Sequence, residues 1–174
     1  MSQAILKPLY FGGQEVPADY VFIARRYVFA MVNPKPVTDG HVLICPTRQV
    51  KSMQELTELE TLELFACAKE VVVKFEDFFK VKNFMFLIQD GTYAGKKESG
   101  VYLQLIPRED QKQEIQNQFS SAQRIERKPE HMGTEATRYR ELFAQSGKMN
   151  LGNWLFSSVC SYSSYGGGRL LFNC

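Results

Sequence analysis

The run Gly100-Val101-Tyr102-Leu103-Gln104-Leu105-Ile106-Pro107 carries the plainest strand signal in this 174-residue chain. Val101, Leu103 and Leu105 alternate with Gly100, Tyr102 and Gln104, and successive side chains of a strand point to opposite faces. The apolar set is therefore the core face of a strand over Gly100 to Ile106, and the second set faces something else. Pro107 has no N–H for a ladder and ends the strand. Immediately upstream, Phe84 to Gln89 reads as another strand, followed by the loop Asp90-Gly91-Thr92-Tyr93-Ala94-Gly95-Lys96-Lys97. Lys96 and Lys97 in that loop could attract phosphate, although exposed lysines are commonly just solvated.

Further upstream lies one long helix. Thr57 and Glu60 have capping-box spacing, and Ser52 with Glu55 offers an earlier start. Phe65, Ala68, Val72, Phe75 and Phe79 follow at intervals of three and four, which predicts one apolar face packed on a sheet. Short β-rich runs precede it: Val21 to Ala24, Tyr27 to Val32 and His41 to Cys45. Pro34, Pro36, Asp39 and Gly40 mark the turn between the last two. Downstream, residues 109–128 are polar, a loop or frayed helix, and Thr134 to Ala144 reads as a second helix.

The tail changes character. From Gly147 onward the charged side chains are Lys148 and Arg169 alone. Trp154, Phe156, Tyr162, Tyr165 and Phe172 stand among Ser and a Gly166-Gly167-Gly168 run. This composition cannot close a core of its own, whereas Trp, Tyr and Phe are the residues that anchor protein interfaces. Residues 147–174 are expected to dock on a protein partner in a larger complex.

Composition is that of an ordinary globular protein, with 44% hydrophobic and 23% charged residues. A net charge of +2 with no basic stripe argues against nucleic acid as a partner. No apolar run approaches the ~20 residues of a membrane span, and the first residues lack the pattern of a secretory signal. Cys45, Cys67, Cys160 and Cys174 form no CxxC pair, which suits buried thiols in an intracellular, reducing compartment, cytoplasmic or organellar, mitochondria included. With two histidines, His41 and His131, neither near a cysteine pair, no metal site and no cofactor are expected.

Five ordered pieces carry a family resemblance: Val32-Asn33, Gly40-His41-Val42-Leu43-Ile44-Cys45-Pro46, Gln89-Asp90-Gly91, Ala94-Gly95 and Leu105-Ile106-Pro107-Arg108. Together with Arg127-Lys128-Pro129-Glu130-His131-Met132, over residues 14–144, they resemble the fragile-histidine-triad branch of the histidine triad family. The resemblance implies an α+β fold: a five-stranded antiparallel sheet with one long helix and a C-terminal helix. It divides the chain into an extension (1–18), a family domain (19–110), a loop and C-terminal helix (111–146) and the tail (147–174). It also implies a homodimer, nucleotide as ligand, and hydrolysis of dinucleoside polyphosphates such as diadenosine triphosphate.

The family signature is His-φ-His-φ-His-φ-φ, with φ apolar. By the resemblance its histidine positions are Gly100, Tyr102 and Gln104 here, while every φ position is kept. The middle histidine is the nucleophile of the family. A phenol, with a pKa of ~10, is a poor nucleophile without a nearby base or metal, and its ring could fill the phosphate pocket. Asn33 matches a ribose contact, Gln89 a phosphate contact, and His41 a residue supporting the triad from behind. Asn33 and Gln89 are equally readable as residues satisfying local backbone groups, and His41 reads more readily as a satisfied structural histidine than as a ligand contact. The expectation is a catalytically inactive protein serving as a structural or interaction subunit. The alternatives are a nucleotide-binding module or a weak residual dinucleoside triphosphate hydrolase.

Overall fold

A computed structural model describes residues 8–94, 99–108 and 124–144. Expectations for the loop lysines 96 and 97, for residues 109–123 and for the tail lie outside these. The first elements are a small hairpin of β1 (Tyr10–Phe11) and β2 (Gln14–Glu15). The main sheet contains β3 (Val21–Ala24), β4 (Val28–Val32), β5 (Val42–Pro46), β6 (Asn83–Ile88) and β7 (Leu103–Arg108). It is five-stranded and antiparallel throughout, in the order β3-β4-β5-β7-β6. Helix α1 (Glu58–Phe79) connects β5 to β6, and α2 (Pro129–Ala144) closes the described chain. The α+β architecture with one long and one C-terminal helix is the one expected.

Strand alternation separates two apolar layers. Val28, Ala30 and Val32 of β4, Val42 and Ile44 of β5, and Leu103 and Leu105 of β7 face α1. Leu64, Cys67, Ala68, Val71 and Phe75 of α1 and Met132, Ala136 and Tyr139 of α2 complete that layer. Phe75 lies 4.8 Å from Tyr139 and 6.3 Å from Phe22, so three elements lock through rings. The opposite layer contains Phe29, Met31, Leu43, Cys45 and Tyr102, covered by Leu9 and Val16 beside the small hairpin.

Thr57 caps α1 as expected. Its hydroxyl accepts from the Glu60 N–H at 3.2 Å, and the Glu60 carboxylate accepts from the Thr57 N–H at 2.8 Å. The buried stripe of α1 differs from the expected one. It runs through Leu64, Cys67, Ala68, Val71 and Phe75, while Phe65 is 46% exposed. At about 100° per residue Leu64 lies roughly 20° from Phe75 on the helical wheel and Phe65 roughly 80° away, so the stripe centred on Phe75 takes in Leu64 and leaves Phe65 at its edge. Two boundaries also move. β7 starts at Leu103 and continues through Pro107, and α2 starts at Pro129, where a missing N–H costs a helix nothing. Gly40 holds φ +75° where a Cβ would lie 2.7 Å from the Phe79 ring and 2.9 Å from Pro107, so this turn requires glycine.

Candidate functional site

A cleft of ≈ 530 Å³ opens on the sheet face away from α1. This is within the usual size of small-molecule sites. Met31 of β4, Leu43 of β5 and Tyr102 and Gln104 at β7 make its floor. The small hairpin, through Phe11, walls one side, and Asn33, Lys35, Arg124 and Arg127 line it as well. Each floor residue arrives by strand parity: Leu43 pairs with Gln104, and Gln104 in turn with Leu87 on the neighbouring strand.

The amides form a directed chain. Gln104 Nε2 donates to Gln89 Oε1 at 3.2 Å, and Gln89 Nε2 donates to the Ala94 carbonyl at 2.9 Å. Asn33 Oδ1 accepts from the Lys35 N–H at 2.8 Å, which fixes the start of the loop between β4 and β5. Asn33 and Gln104 are buried to 5% and 4% exposure, so their orientations are set by partners and not by solvent.

His41 does not line the cleft. It is fully buried behind the floor, with Nε2 2.8 Å from Asn33 Nδ2 and Nδ1 accepting from the Val37 N–H at 3.1 Å. Burial, then the charges of Arg124 and Arg127, lower its pKa to about 3, against a hydrogen bond with Gln104 that acts the other way. The ring is neutral at physiological pH and has no face open to a ligand.

Of the three positions that the resemblance aligned with the signature, Tyr102 and Gln104 line one cleft with Asn33 and Gln89, and Gly100 does not. Gly100 lines a separate, smaller hollow with Cys45, Arg48 and Val50. Its φ of +98° breaks the extended backbone, and the paired strand begins only at Leu103. Tyr102 lines the cleft as a residue 7% exposed, and its ring packs edge to face on Phe11, centroids 4.9 Å apart at 74°, within the second apolar layer.

The cationic wall was missed by sequence reasoning. Arg124 donates to the Lys35 carbonyl at 3.3 Å, and its pKa is lowered by burial and raised in turn by the charge of Tyr102. Arg127 is ion-paired with Glu135, and Lys35 with Glu126 at 3.4 Å. In the sequence these residues sit in polar segments with no periodicity, and only the chain's return from α2's start to the Pro34 carbonyl, through the Arg127 N–H at 2.9 Å, brings them to the floor. Among the described residues no three of His, Cys, Asp and Glu cluster as metal ligands, and no helix is long and apolar enough to cross a membrane.

Residues 14–111 match the HIT domain family. The chain is 38% identical over 141 residues to the nitrilase and fragile histidine triad fusion protein NitFhit of Caenorhabditis elegans. It spans 77% of itself but 32% of that fusion. The crystal structure of NitFhit superposes with a TM-score of 0.68 at 35% identity, over 80% of this chain and 31% of that one. A bis(5'-adenosyl)-triphosphatase of Dictyostelium discoideum is 34% identical over 140 residues, 79% of this chain and 94% of that protein. The bifunctional bis(5'-adenosyl)-triphosphatase/adenylylsulfatase FHIT of Arabidopsis thaliana is 31% identical over 149 residues, 76% of this chain and 83% of that one. These relatives overturn the expectation of a catalytically inactive structural subunit. Proteins matched along most of their length are named for hydrolysis.

Proposed function

This chain belongs to the HIT family, and on that premise we propose that it is a nucleotide hydrolase that binds dinucleoside polyphosphates in the cleft over β4, β5 and β7. One observation carries the reading: three amides, Asn33, Gln89 and Gln104, and the cations Lys35 and Arg124 line one opening whose floor is Met31 and Leu43. A nucleotide has the matching sequence of surfaces, an apolar base, a hydroxyl-bearing ribose and an anionic phosphate chain. The base lies against Met31, Leu43 and Phe11, the ribose against Asn33, and the phosphates against Gln89, Gln104 and Arg124. Charged groups donating to phosphate give the strongest of these bonds.

The reaction is addition of water across a phosphoanhydride: diadenosine triphosphate and water give AMP and ADP. The positions 100, 102 and 104 stand where the family signature has histidines, so the reaction proceeds here without an imidazole nucleophile and is slow beside that of a triad enzyme. The names of the Dictyostelium and Arabidopsis relatives support the substrate class. The test uses the purified full chain. Titration calorimetry with AMP should give saturable heat, and chromatography of a diadenosine triphosphate incubation should show AMP and ADP accumulating in equal amounts. No heat with millimolar AMP, together with intact substrate after prolonged incubation, defeats the proposal.

A further inference from the structure

An adenine nucleotide has few groups that donate a hydrogen bond: the two ribose hydroxyls and the amine of the base. A carboxylate only accepts. In a nucleotide cleft it therefore belongs against a hydroxyl or an amine, and it repels the phosphate chain. Among the described residues two carboxylates line this cleft, Glu15 and Glu126. Glu15 is exposed on the hairpin, and its register opposite Tyr10 puts it on the other face from the Phe11–Gln14 pair. Glu126 is placed differently, because its segment is clamped onto residues 33–35. The Arg127 N–H donates to the Pro34 carbonyl at 2.9 Å, and Arg124 donates to the Lys35 carbonyl at 3.3 Å. The Lys35 ammonium lies 3.4 Å from the Glu126 carboxylate. Asn33, beside that clamp, has little left to offer a sugar. Its Oδ1 accepts from the Lys35 N–H at 2.8 Å, and its Nδ2 lies 2.8 Å from His41 Nε2. An amide oxygen has two lone pairs, so Oδ1 keeps one acceptor position for a ribose that brings two hydroxyl donors.

Resting on the nucleotide-cleft reading above, we propose that Glu126 selects the sugar: its carboxylate accepts from the vicinal ribose hydroxyls that Asn33 cannot take, and Lys35 is the positioning residue that holds it at the wall. The ligand class follows. The cleft takes 5′-ribonucleotides with both sugar hydroxyls free and discriminates against deoxyribonucleotides. A carboxylate has two oxygens, enough for both hydroxyls of a diol, and a hydrogen bond to a charged acceptor is stronger than one between neutral groups. Dinucleotide-binding folds use the same chemistry on another architecture, an acidic side chain accepting from the ribose 2′-hydroxyl. The ion pair also accounts for a carboxylate standing in an anion-binding cleft at all, since the Lys35 charge offsets its repulsion of the phosphates. The Glu126 side chain is 71% exposed and that of Lys35 42%. An ion pair so open to solvent contributes little to the fold, and a hydroxyl can join it without burying a charge.

The experiment varies the sugar on one phosphate. The purified full chain is titrated by calorimetry with AMP, 2′-deoxy-AMP, 3′-deoxy-AMP and 2′,3′-dideoxy-AMP. Loss of both hydroxyls should weaken binding by about 10-fold or more, the scale of a hydrogen bond to a charged group. Glu126→Ala should weaken AMP by a similar factor and leave dideoxy-AMP unchanged, so that the discrimination disappears. Glu126→Gln keeps one acceptor and should keep part of it. A merely structural role for Glu126 would weaken all four ligands alike, and that result overturns the assignment. Tighter AMP binding in Glu126→Ala also overturns it, since the carboxylate would then be a counter-ion that phosphate displaces from Lys35. Wild-type discrimination in that variant, or equal affinity of the wild-type chain for AMP and dideoxy-AMP, does the same. In each of these cases AMP still binds and the cleft reading stands. Absence of heat with AMP in the wild-type chain instead removes the cleft reading, and this assignment with it.

Discussion

His41 shows what burial does to a single titratable side chain. Its ring has 0% exposure and its nitrogens face the Asn33 amide and the Val37 N–H. Its folded pKa of about 3 lies below the ordinary value of 6.5, so between those two pH values the unfolded chain binds a proton that the folded chain refuses. The contribution of His41 is whole above pH 6.5 and is lost progressively as pH falls toward 3. Urea unfolding followed through that window should show a slope approaching ~1.4 kcal/mol per pH unit, the limit for one proton, and His41→Gln should flatten it. Glu60 acts in a lower window. A hydrogen bond from Arg48, and further bonds from Thr57, hold its carboxyl at about 2, below the ordinary 4.5. Its stabilisation is present above pH 4.5 and disappears as pH drops through the folded value. Glu60→Gln should therefore remove stability at pH 7 and remove very little at pH 2.

At the scale of elements, α1 separates residues that matter from residues that only look apolar. Leu64 is fully buried between α1 and the sheet, and Leu64→Ala should cost about 2–5 kcal/mol. Phe65, its neighbour, should tolerate Ser within ~0.5 kcal/mol. Thermal or urea unfolding of the two variants decides between the observed stripe and the one expected from periodicity. The comparison explains how far the sequence could be read. Thr57 and Glu60 announce the start of α1 through local hydrogen bonds, so that end was legible. Leu103 and Leu105 announce their face by period two, and they lie on it. The apolar stripe of α1 was less legible because the helix is apolar on more than one side, with Leu59, Leu62, Phe65 and Val73 all exposed. Local pattern cannot rank two stripes. In the cleft, Asn33, Gln89, Tyr102 and Gln104 were singled out by the family resemblance, and strands and a tight turn place them along one opening. Arg124, Arg127 and Lys35 were not, since a long return of the chain brings them in and no short-range rule encodes it.

In the whole molecule the two faces of the sheet have divided tasks. Both helices pack on one, and that layer supplies most of the apolar burial, at ~25 cal/mol per Å². The other face gives part of its area to the hairpin and leaves the rest as a cleft. A ligand that enters binds only the folded chain, so AMP at a hundred times its dissociation constant should add about 2.7 kcal/mol to the unfolding free energy. The expected readout is a concentration-dependent rise in melting temperature, largely abolished in Arg124→Ala. A rise of equal size in that variant would place the phosphate elsewhere.

The turn at Gly100 has a consequence for anyone retrofitting imidazoles into this scaffold. Tyr102→His and Gln104→His exchange one side chain for another on backbone that is already extended or strand-paired. Gly100→His is a different operation. A Cβ there would meet only the Val50 carbonyl oxygen at 3.5 Å, an ordinary contact, so room is available. The obstacle is the torsion of +98°, which an L-residue adopts at a penalty of about 1–3 kcal/mol. A designer would have to re-thread the approach to β7 before the third ring could join the other two, and a double variant at 102 and 104 is the more economical place to begin.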